Sequence, residues 1–425
     1  MQMVTSLVVG VRRWSSLSID AWLFTLLIGG YGIALALSFR GVYASLLVMV
    51  LALVSIGLYL GVERPTVRLT LVCAAIGAIA IAPTLLGIYL RHLTDPSQYA
   101  HDGLIQVEEA AKLLLAGKNP YAENYLNTPM ARWHFAEPNV AVNPALYHLA
   151  YLPFLVDFSA PFVGIIQPVI GWFDERMIFL PLFVATLILA TRLATSRENE
   201  LALALAIGLN PLLVPFLAEG RNDIFILFWV VVSVFLLRSG HRVWSVVMIA
   251  FACATKETAW LILPFYALYF VGTNPDVADK RRRQKLVEQV HDALPAFAVF
   301  AAVMSAIILP FLLWNPRAFV DDVLLYPAGL TEHGYPIKSI GFGGLALALG
   351  WIHSNTAQFP FGVFQVLFGL PVLGAMASVQ QKRNTIAQVW LGYAVLLFVV
   401  GLFSHVFNDN HLGYIICLLA IGLLA

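Results

Sequence analysis

Runs of about 20 apolar residues, long enough to cross a bilayer as a helix, recur along the whole chain. They lie near 20–39, 42–62, 69–90, 176–195, 200–219, 223–238, 293–314, 358–378, 385–403 and 412–425. Lipid offers no partner to an open backbone N–H or C=O, so a segment of this kind must satisfy itself as an α-helix. The stretch 243–271 is interrupted by Lys256-Glu257 and reads as two short helices meeting at a polar break. That brings the count to about twelve spans. The segment 143–173 carries Pro144, Pro153, Pro161 and Pro168, and is expected to form a re-entrant or interfacial hairpin.

Only 12% of the 425 residues are charged and 60% are apolar, whereas a soluble domain carries about 25% charge. Too little polar sequence is present to cover one water-soluble core, which excludes a soluble enzyme and a disordered chain. A net charge of +1 leaves no electrostatic footprint for nucleic acid. The expected fold class is all-α, one polytopic membrane domain over 1–425. Cys73, Cys253 and Cys417 each sit in an apolar run and read as small buried hydrophobes, with neither a disulfide framework nor metal-ligand spacing.

Basic residues orient such a chain. Arg12, Arg13, Arg64, Arg68, Arg192, Arg197, Arg238, Arg242, the cluster between Lys280 and Lys285, Lys382 and Arg383 fall on one side. This side is expected to be the cytoplasmic face of a plasma membrane, with the N-terminus inside and 272–292 an inner basic loop. Arg12-Arg13 ahead of an apolar run has the form of a signal peptide, but two more spans follow at once, which favours an uncleaved first helix. The polar stretches 91–142, 315–340 and 404–411 then share the outer face.

The first of these is the longest hydrophilic part of the chain. From Gly103 to Ala116, Leu104, Val107, Ala111, Leu114 and Leu115 recur at helical spacing, with Glu108 and Lys112 as an i,i+4 pair opposite. The pattern predicts an amphipathic helix on the outer membrane surface, stopped by Gly117 and turned by Asn119-Pro120-Tyr121. Asp95 before Pro96 is a turn former. Asp102 stands where the helix begins. Its plainest role is an N-cap; the alternative is a boundary carboxylate acting as general base toward a hydroxyl.

Asp102-Gly103, an alanine-rich helix and then Leu115-Ala116-Gly117-Lys118-Asn119-Pro120-Tyr121 resemble the first outer loop of the GT-C glycosyltransferases. The similarity is closest to glycosyltransferase family 87, the polyprenyl-phosphate-mannose-dependent mannosyltransferases. Val142-Asn143-Pro144-Ala145-Leu146-Tyr147 resembles that family's Tyr-Pro-Pro opening of the next helix, with Asn143 and Ala145 as departures. Glu219-Gly220-Arg221-Asn222-Asp223 resembles its Gly-Gln-x-Asn turn, and Ala252-Cys253-Ala254-Thr255-Lys256 its helix ending in Ala-x-x-Lys. The resemblance spans about 90–270. It implies transfer of a sugar from a polyprenyl-phosphate donor to a glycan, lipid or protein acceptor at the outer face, with inversion. Asp102 takes the place of the family's base, and His101, Tyr121 and Asn143 stand beside it as substrate contacts. His101 occupies the position before Asp102 where relatives with a metal-binding acidic pair have a second carboxylate, so no metal or other cofactor is expected.

Lys256 is conspicuous on physical grounds, since a charge within a span costs at least about 2.5–3.5 kcal/mol and must face a partner, a cavity or a bound anion. Glu257 is the local candidate partner; a donor phosphate is the functional one. Arg221 and Asn222 lie in a short turn at the outer side and are candidate phosphate or sugar contacts, or simply a solvated turn. Ser404 to His411 packs His405, Asn410 and His411 between apolar helices, a set suited to sugar hydroxyls or to a tight polar turn, without the ligand spacing of a metal site. Trp314, Tyr326 and Tyr335 read as interface anchors or stacking platforms, and Asp321-Asp322 is the second choice of acidic pair. A transporter or flippase is the competing class. It calls for polar breaks at mid-depth in several spans, whereas polarity here collects at outer helix ends.

Overall fold

The computed structural model describes residues 17–272 and 284–425, so the expectations for Arg12-Arg13 and for the basic cluster lie outside the described residues. The described residues are mostly helical, with one short strand pair among them. Helices α1 (Ile19–Ser38) and α2 (Val42–Gly61) form a hairpin, and α3 (Pro65–Leu93) follows with a π-helical turn at Gly77–Ile81. Next come α4 (Asp102–Leu115), α5 (Pro153–Ile170), α6 (Arg176–Thr191), α7 (Arg197–Gly208) and α8 (Val214–Glu219). Helices α9 (Asp223–Arg238) and α10 (Arg242–Cys253) pack side by side ahead of α11 (Leu263–Val271). The remaining helices are α12 (Gln284–Trp314), α13 (Pro316–Val320), α14 (Phe342–Ala348), α15 (Phe361–Lys382), α16 (Ile386–Leu402) and α17 (Asp409–Leu424). Strands β1 (Lys338–Ser339) and β2 (Val406–Phe407) pair in parallel.

Among the described residues, six apolar helical segments of at least 18 residues are long enough to cross a membrane: α1, α2, α3, α5, Ala293–Trp314 of α12, and α15. The chain is therefore an all-α membrane protein. The other apolar helices are shorter. A 16-residue helix such as α6 or α17 rises about 24 Å against about 30 Å of hydrocarbon. Among the described residues six helices reach spanning length, against the twelve spans expected.

Several expectations are corrected. Residues 153–170 form one helix rather than a hairpin, with Pro153 at its first turn and Pro161 and Pro168 inside it. Membrane helices tolerate interior proline where neighbours satisfy the freed carbonyls. The run 200–219 is broken at Asn210-Pro211: Asn210 Nδ2 donates to Gly413 O at 2.9 Å, and its Oδ1 accepts from Leu212 N at 2.9 Å. This break aims α8 and the turn after it at one end of the bundle. The polar break at Lys256 is where expected. Lys256 is extended, a 3₁₀ turn covers Glu257–Ile262, and Trp260 Nε1 donates back to Cys253 O at 2.8 Å. Cys253 and Cys417 are buried, but Cys73 is exposed on α3.

Helix α4 is packed into the protein on more than its apolar stripe. Leu104 to Glu108, Ala110 and Ala111 are all buried, packed largely against α5. Glu108 is not paired with Lys112, which bonds Glu109 Oε1 at 2.7 Å instead. Arg91 grips Glu108 with two hydrogen bonds of 2.8 and 2.7 Å and reaches Asp174 Oδ2 at 2.9 Å. Arg176 holds the other side of Asp174 and donates to Ala218 O at 2.7 Å. A buried ionic network thus ties α3, α4, α6 and α8 together where the apolar faces meet, and its mutual pairing makes the burial of these charges tolerable.

Candidate functional site

The three polar stretches expected on one face meet at one end of the bundle around a cavity of about 260 Å³. His101 and Gly103 come from the start of α4, Gly220, Arg221 and Asn222 from the α8–α9 turn, and Lys256, Glu257 and Thr258 from the α10–α11 break. Tyr326, Tyr335 and Lys338 enter from the second loop, and Asn408, Asn410 and His411 from the last turn.

Backbone ties fix these segments to one another. His101 N–H donates to Glu219 O at 2.8 Å, Leu152 N–H to Thr255 O at 3.2 Å and Phe154 N–H to Ala254 O at 3.0 Å. The β1–β2 pair links the second loop to the last turn. Two glycines allow the close approach. Gly220 has φ +85°, and a Cβ there would fall 2.0 Å from Leu104 Cδ1; a Cβ on Gly103 would fall 2.2 Å from the Tyr151 hydroxyl.

Asp102 is the first residue of α4 and His101 occupies the capping position, so the simple capping account of Asp102 does not hold. Asp102 Oδ1 lies 2.8 Å from His101 Nδ1 and accepts from Gly103 N–H at 2.8 Å, while Oδ2 accepts from Asn143 Nδ2 at 2.9 Å. His101 Nδ1 accepts from the same Gly103 N–H at 3.1 Å, the bond that caps the helix. Burial pushes the Asp102 carboxyl up, but the His101 imidazole, the Asn143 amide and the Gly103 N–H outweigh it and hold it at about 2. Asp102 is therefore a carboxylate at any physiological pH.

Lys256 is paired with Asp223, not with Glu257. Its Nζ lies 3.7 Å from Asp223 Oδ1, close enough to attract and too far for a hydrogen bond, so its ammonium donors are not committed to that carboxylate. Asp223 also accepts from Asn410 Nδ2 at 2.7 Å, and Asn410 Oδ1 accepts from Arg221 Nη1 at 3.1 Å. Arg221 stacks over Phe216 and bonds Glu219 Oε2 at 3.1 Å. The Asn222 Nδ2 is buried without a partner. One wall of the cavity thus presents two cations and an unspent amide, an arrangement that fits an oxyanion. His411 Nδ1 accepts from Asn408 N–H at 3.0 Å, closing the capping box of α17.

Of the residues nominated from sequence, His101, Arg221, Asn222, Lys256, Asn410 and His411 line the cavity. Asp102 and Asn143 stand one layer behind it. Tyr121 does not reach it: the ring is buried against Phe311 and Phe319, and its hydroxyl donates to Tyr151 O at 2.7 Å. His405 is also displaced, because Nε2 donates to Tyr335 O at 2.6 Å and the ring borders a neighbouring cleft with Tyr147 and His333. The alternative acidic pair is divided between other tasks. Asp322 binds His148 Nδ1 at 2.7 Å and Leu149 N–H at 2.8 Å, while Asp321 faces Arg317 at 3.7 Å. Trp314 is exposed at the end of α12. Asp223, Tyr151 and Thr258 were missed. Asp223 was visible in the Glu219–Asp223 turn, yet nothing local links it to Lys256.

No protein-family model matches the chain, and a search of curated proteins finds no match. What the fold and site define is an all-α membrane protein with a polar, cation-walled cavity at one end of its helices.

Proposed function

We propose that the protein is an integral membrane glycosyltransferase. It moves a hexose or pentose, mannose being the expectation from the motif resemblance, from a polyprenyl-phosphate donor to a glycan, lipid or protein acceptor. The reaction inverts the anomeric carbon and takes place at the outer face of the plasma membrane. The observation that carries this reading is the convergence on one cavity of Lys256, Arg221 and the unpartnered Asn222 amide with His101, behind which Asp102 stands.

In this reading the acceptor hydroxyl attacks the anomeric carbon as the bond to the phosphate oxygen breaks. Lys256 and Arg221 stabilise the charge that grows on the leaving phosphate, a contribution largest in a water-poor site. The His101–Asp102 pair receives the hydroxyl proton. Tyr151, Tyr335 and Tyr326 supply aromatic and hydroxyl surface for the sugar. Neither a metal nor another cofactor enters the scheme, because a single-phosphate leaving group is matched by the two side-chain cations.

The test uses purified protein with polyprenyl-phosphate-linked sugars and candidate acceptors. Asp102→Asn is expected to lose about 10²–10⁴-fold in kcat, and Lys256→Met to bind polyprenyl phosphate at least tenfold more weakly. Equal transfer by wild type and Asp102→Asn refutes the site. Absence of transfer, with reconstituted vesicles moving the lipid across the bilayer, makes the protein a flippase instead.

A further inference from the structure

A second cleft of about 340 Å³ adjoins the first, and Tyr335 lines both. That size falls within the range of small-ligand sites, about 300–1,000 Å³. One wall is the segment from Asn139 to Tyr147, the other the turn from Gly329 to Tyr335. Asn355 ties the two walls together. Its Nδ2 donates to Pro138 O at 2.8 Å, its Oδ1 accepts from Asn139 Nδ2 at 3.3 Å, and its backbone O accepts from Ile337 N–H at 2.6 Å. Asn139 takes the left-handed conformation, with φ +60°, which asparagine tolerates better than most residues. The same segment reaches Asp102. Val142 and Pro144 line the cleft, and Asn143 between them donates to Asp102 Oδ2 at 2.9 Å.

The lining of this cleft differs from that of the cation-walled cavity. Among the described residues none of those around it is a lysine or an arginine, and its one carboxylate, Glu332, belongs to an exposed residue. Asn139, Thr331, Thr356 and His405 supply uncharged hydrogen-bonding groups. Two of these residues carry a buried polar atom with no partner in the protein, Thr331 Oγ1 and His405 Nδ1. Half-buried Tyr147 stacks on exposed His333 with centroids 3.9 Å apart and planes 17° from parallel, a flat platform for the C–H face of a sugar ring. A phosphate headgroup would meet Glu332 here and no lysine or arginine. Sugar hydroxyls both donate and accept, and so suit an uncharged lining of mixed donors and acceptors.

We infer that this second cleft is the acceptor subsite and that the acceptor it takes is a neutral glycan chain, in preference to a phospholipid headgroup or a peptide. The inference rests on the glycosyltransferase reading and names the substrate class which that reading leaves open. One sugar unit packs on Tyr147 and His333, and the neighbouring unit passes Tyr335 to bring a hydroxyl into the first cavity, where Lys256 and Arg221 hold the donor phosphate. The hydroxyl oxygen bonds the anomeric carbon as the carbon–oxygen bond to phosphate breaks. The electron pair leaves with polyprenyl phosphate, and the hydroxyl proton passes to the His101–Asp102 pair. Donor and acceptor are thus told apart by charge, with cations in one cavity and neutral polar groups in the other.

The experiment uses the full chain in nanodiscs with neutral trisaccharides of mannose, glucose and arabinose, a serine-rich peptide and a short-chain phosphatidylglycerol as acceptor probes. Isothermal titration reads binding, and initial rates give acceptor and donor KM. Ala141→Trp, at an exposed position, fills the cleft; His333→Ala, also exposed, removes half of the platform; Thr331→Val removes the unpaired hydroxyl at nearly constant shape. Ala141→Trp is expected to raise the trisaccharide Kd and KM about tenfold or more, and His333→Ala and Thr331→Val about three- to tenfold each. Affinity for polyprenyl phosphate should stay within about twofold of wild type, because Lys256 and Arg221 do not line this cleft. An unchanged thermal midpoint checks that the two exposed variants are folded. The inference is overturned if the trisaccharide KM stays within about twofold of wild type in both Ala141→Trp and His333→Ala while transfer continues, which leaves the transferase reading intact. It is equally overturned if wild-type protein transfers sugar to the peptide or to phosphatidylglycerol and to none of the trisaccharides. Wild-type protein that transfers no sugar from any polyprenyl phosphate to any of these acceptors overturns the inference and the transferase reading together.

Discussion

Asp223 offers a perturbation whose sign separates a phosphate site from a structural ion pair. It is the carboxylate nearest Lys256, at 3.7 Å, and both side chains are largely out of solvent, at 5% and 19% exposure. At an effective dielectric of about 20 the gross attraction at this separation is about 4.5 kcal/mol. Much of that is offset by desolvation and recovered when the cavity-facing ammonium takes up water, leaving a net of about 1–2 kcal/mol. Asp223→Asn preserves shape, and the new amide oxygen still accepts from Asn410 Nδ2, now 2.7 Å from Asp223 Oδ2. What changes is the charge that competes with an incoming anion. If Lys256 serves a phosphate, Asp223→Asn tightens binding of polyprenyl phosphate about tenfold, the equivalent of about 1.4 kcal/mol, while lowering the thermal midpoint. Lys256→Met should weaken the same binding. Titration of the detergent-solubilised protein with polyprenyl phosphate, followed by tryptophan fluorescence, measures both. If Asp223→Asn weakens binding as much as Lys256→Met does, Asp223 and Lys256 form a scaffold pair and the anion-site argument fails.

Gly220→Ala should destabilise by about 2–4 kcal/mol, combining a positive φ with a Cβ that overlaps Leu104; thermal melting checks it, and a change under 0.5 kcal/mol contradicts the geometry. Gly103→Ala should be milder in stability, because the Tyr151 hydroxyl it meets is the end of a side chain that can move, yet it should still lower turnover by intruding beside His101. Replacing Arg91 by Met strands Glu108 and half of Asp174 in the interior and should cost about 3–5 kcal/mol, read as loss of folded protein on size-exclusion chromatography. The depressed Asp102 carboxyl, at about 2 instead of near 3.9 unfolded, contributes about 2 kcal/mol above the unfolded value. That contribution is lost as pH falls from about 4 toward 2. The stability gap between wild type and Asp102→Asn should therefore be flat from pH 5 to 8 and close below 4, and a gap that varies across the neutral range points to another titrating group.

The cavity is built from sequence-distant pieces, which explains its chemistry. Helix ends and breaks are where backbone and side-chain polarity can persist beside apolar spans. The start of α4, the α8–α9 turn, the α10–α11 break and the start of α17 are all such points. Stacking four of them at one end of the bundle concentrates hydrogen-bonding groups that no single segment holds.

Much of this was legible in the chain. An apolar run must become a helix in lipid, so 223–238 was bounded to the residue, and the interruption at Lys256-Glu257 marked the polar break. The cost of an unpaired charge singled out Lys256, and turn chemistry assigned Asp95, whose Oδ1 accepts from Ser97 N–H at 2.8 Å. Other features were settled by packing. Proline content misled at 153–170 because it reports the lost N–H and not the neighbours that make up for it. Helical spacing paired Glu108 with Lys112, but Arg91 and Asp174, 17 and 83 positions from their partners in the buried network, outbid that local contact once desolvated. Sequence by itself determined that apolar runs such as 223–238 are helical and which residue types stand at the polar breaks. Only the tertiary structure decided that Asp223 faces Lys256, that Tyr121 and His405 turn away, and that His101 stands between Asp102 and the cavity. Helix formation in an apolar run is a local requirement of the backbone, whereas the pairing of charges depends on which helix ends are brought within a few ångströms of one another.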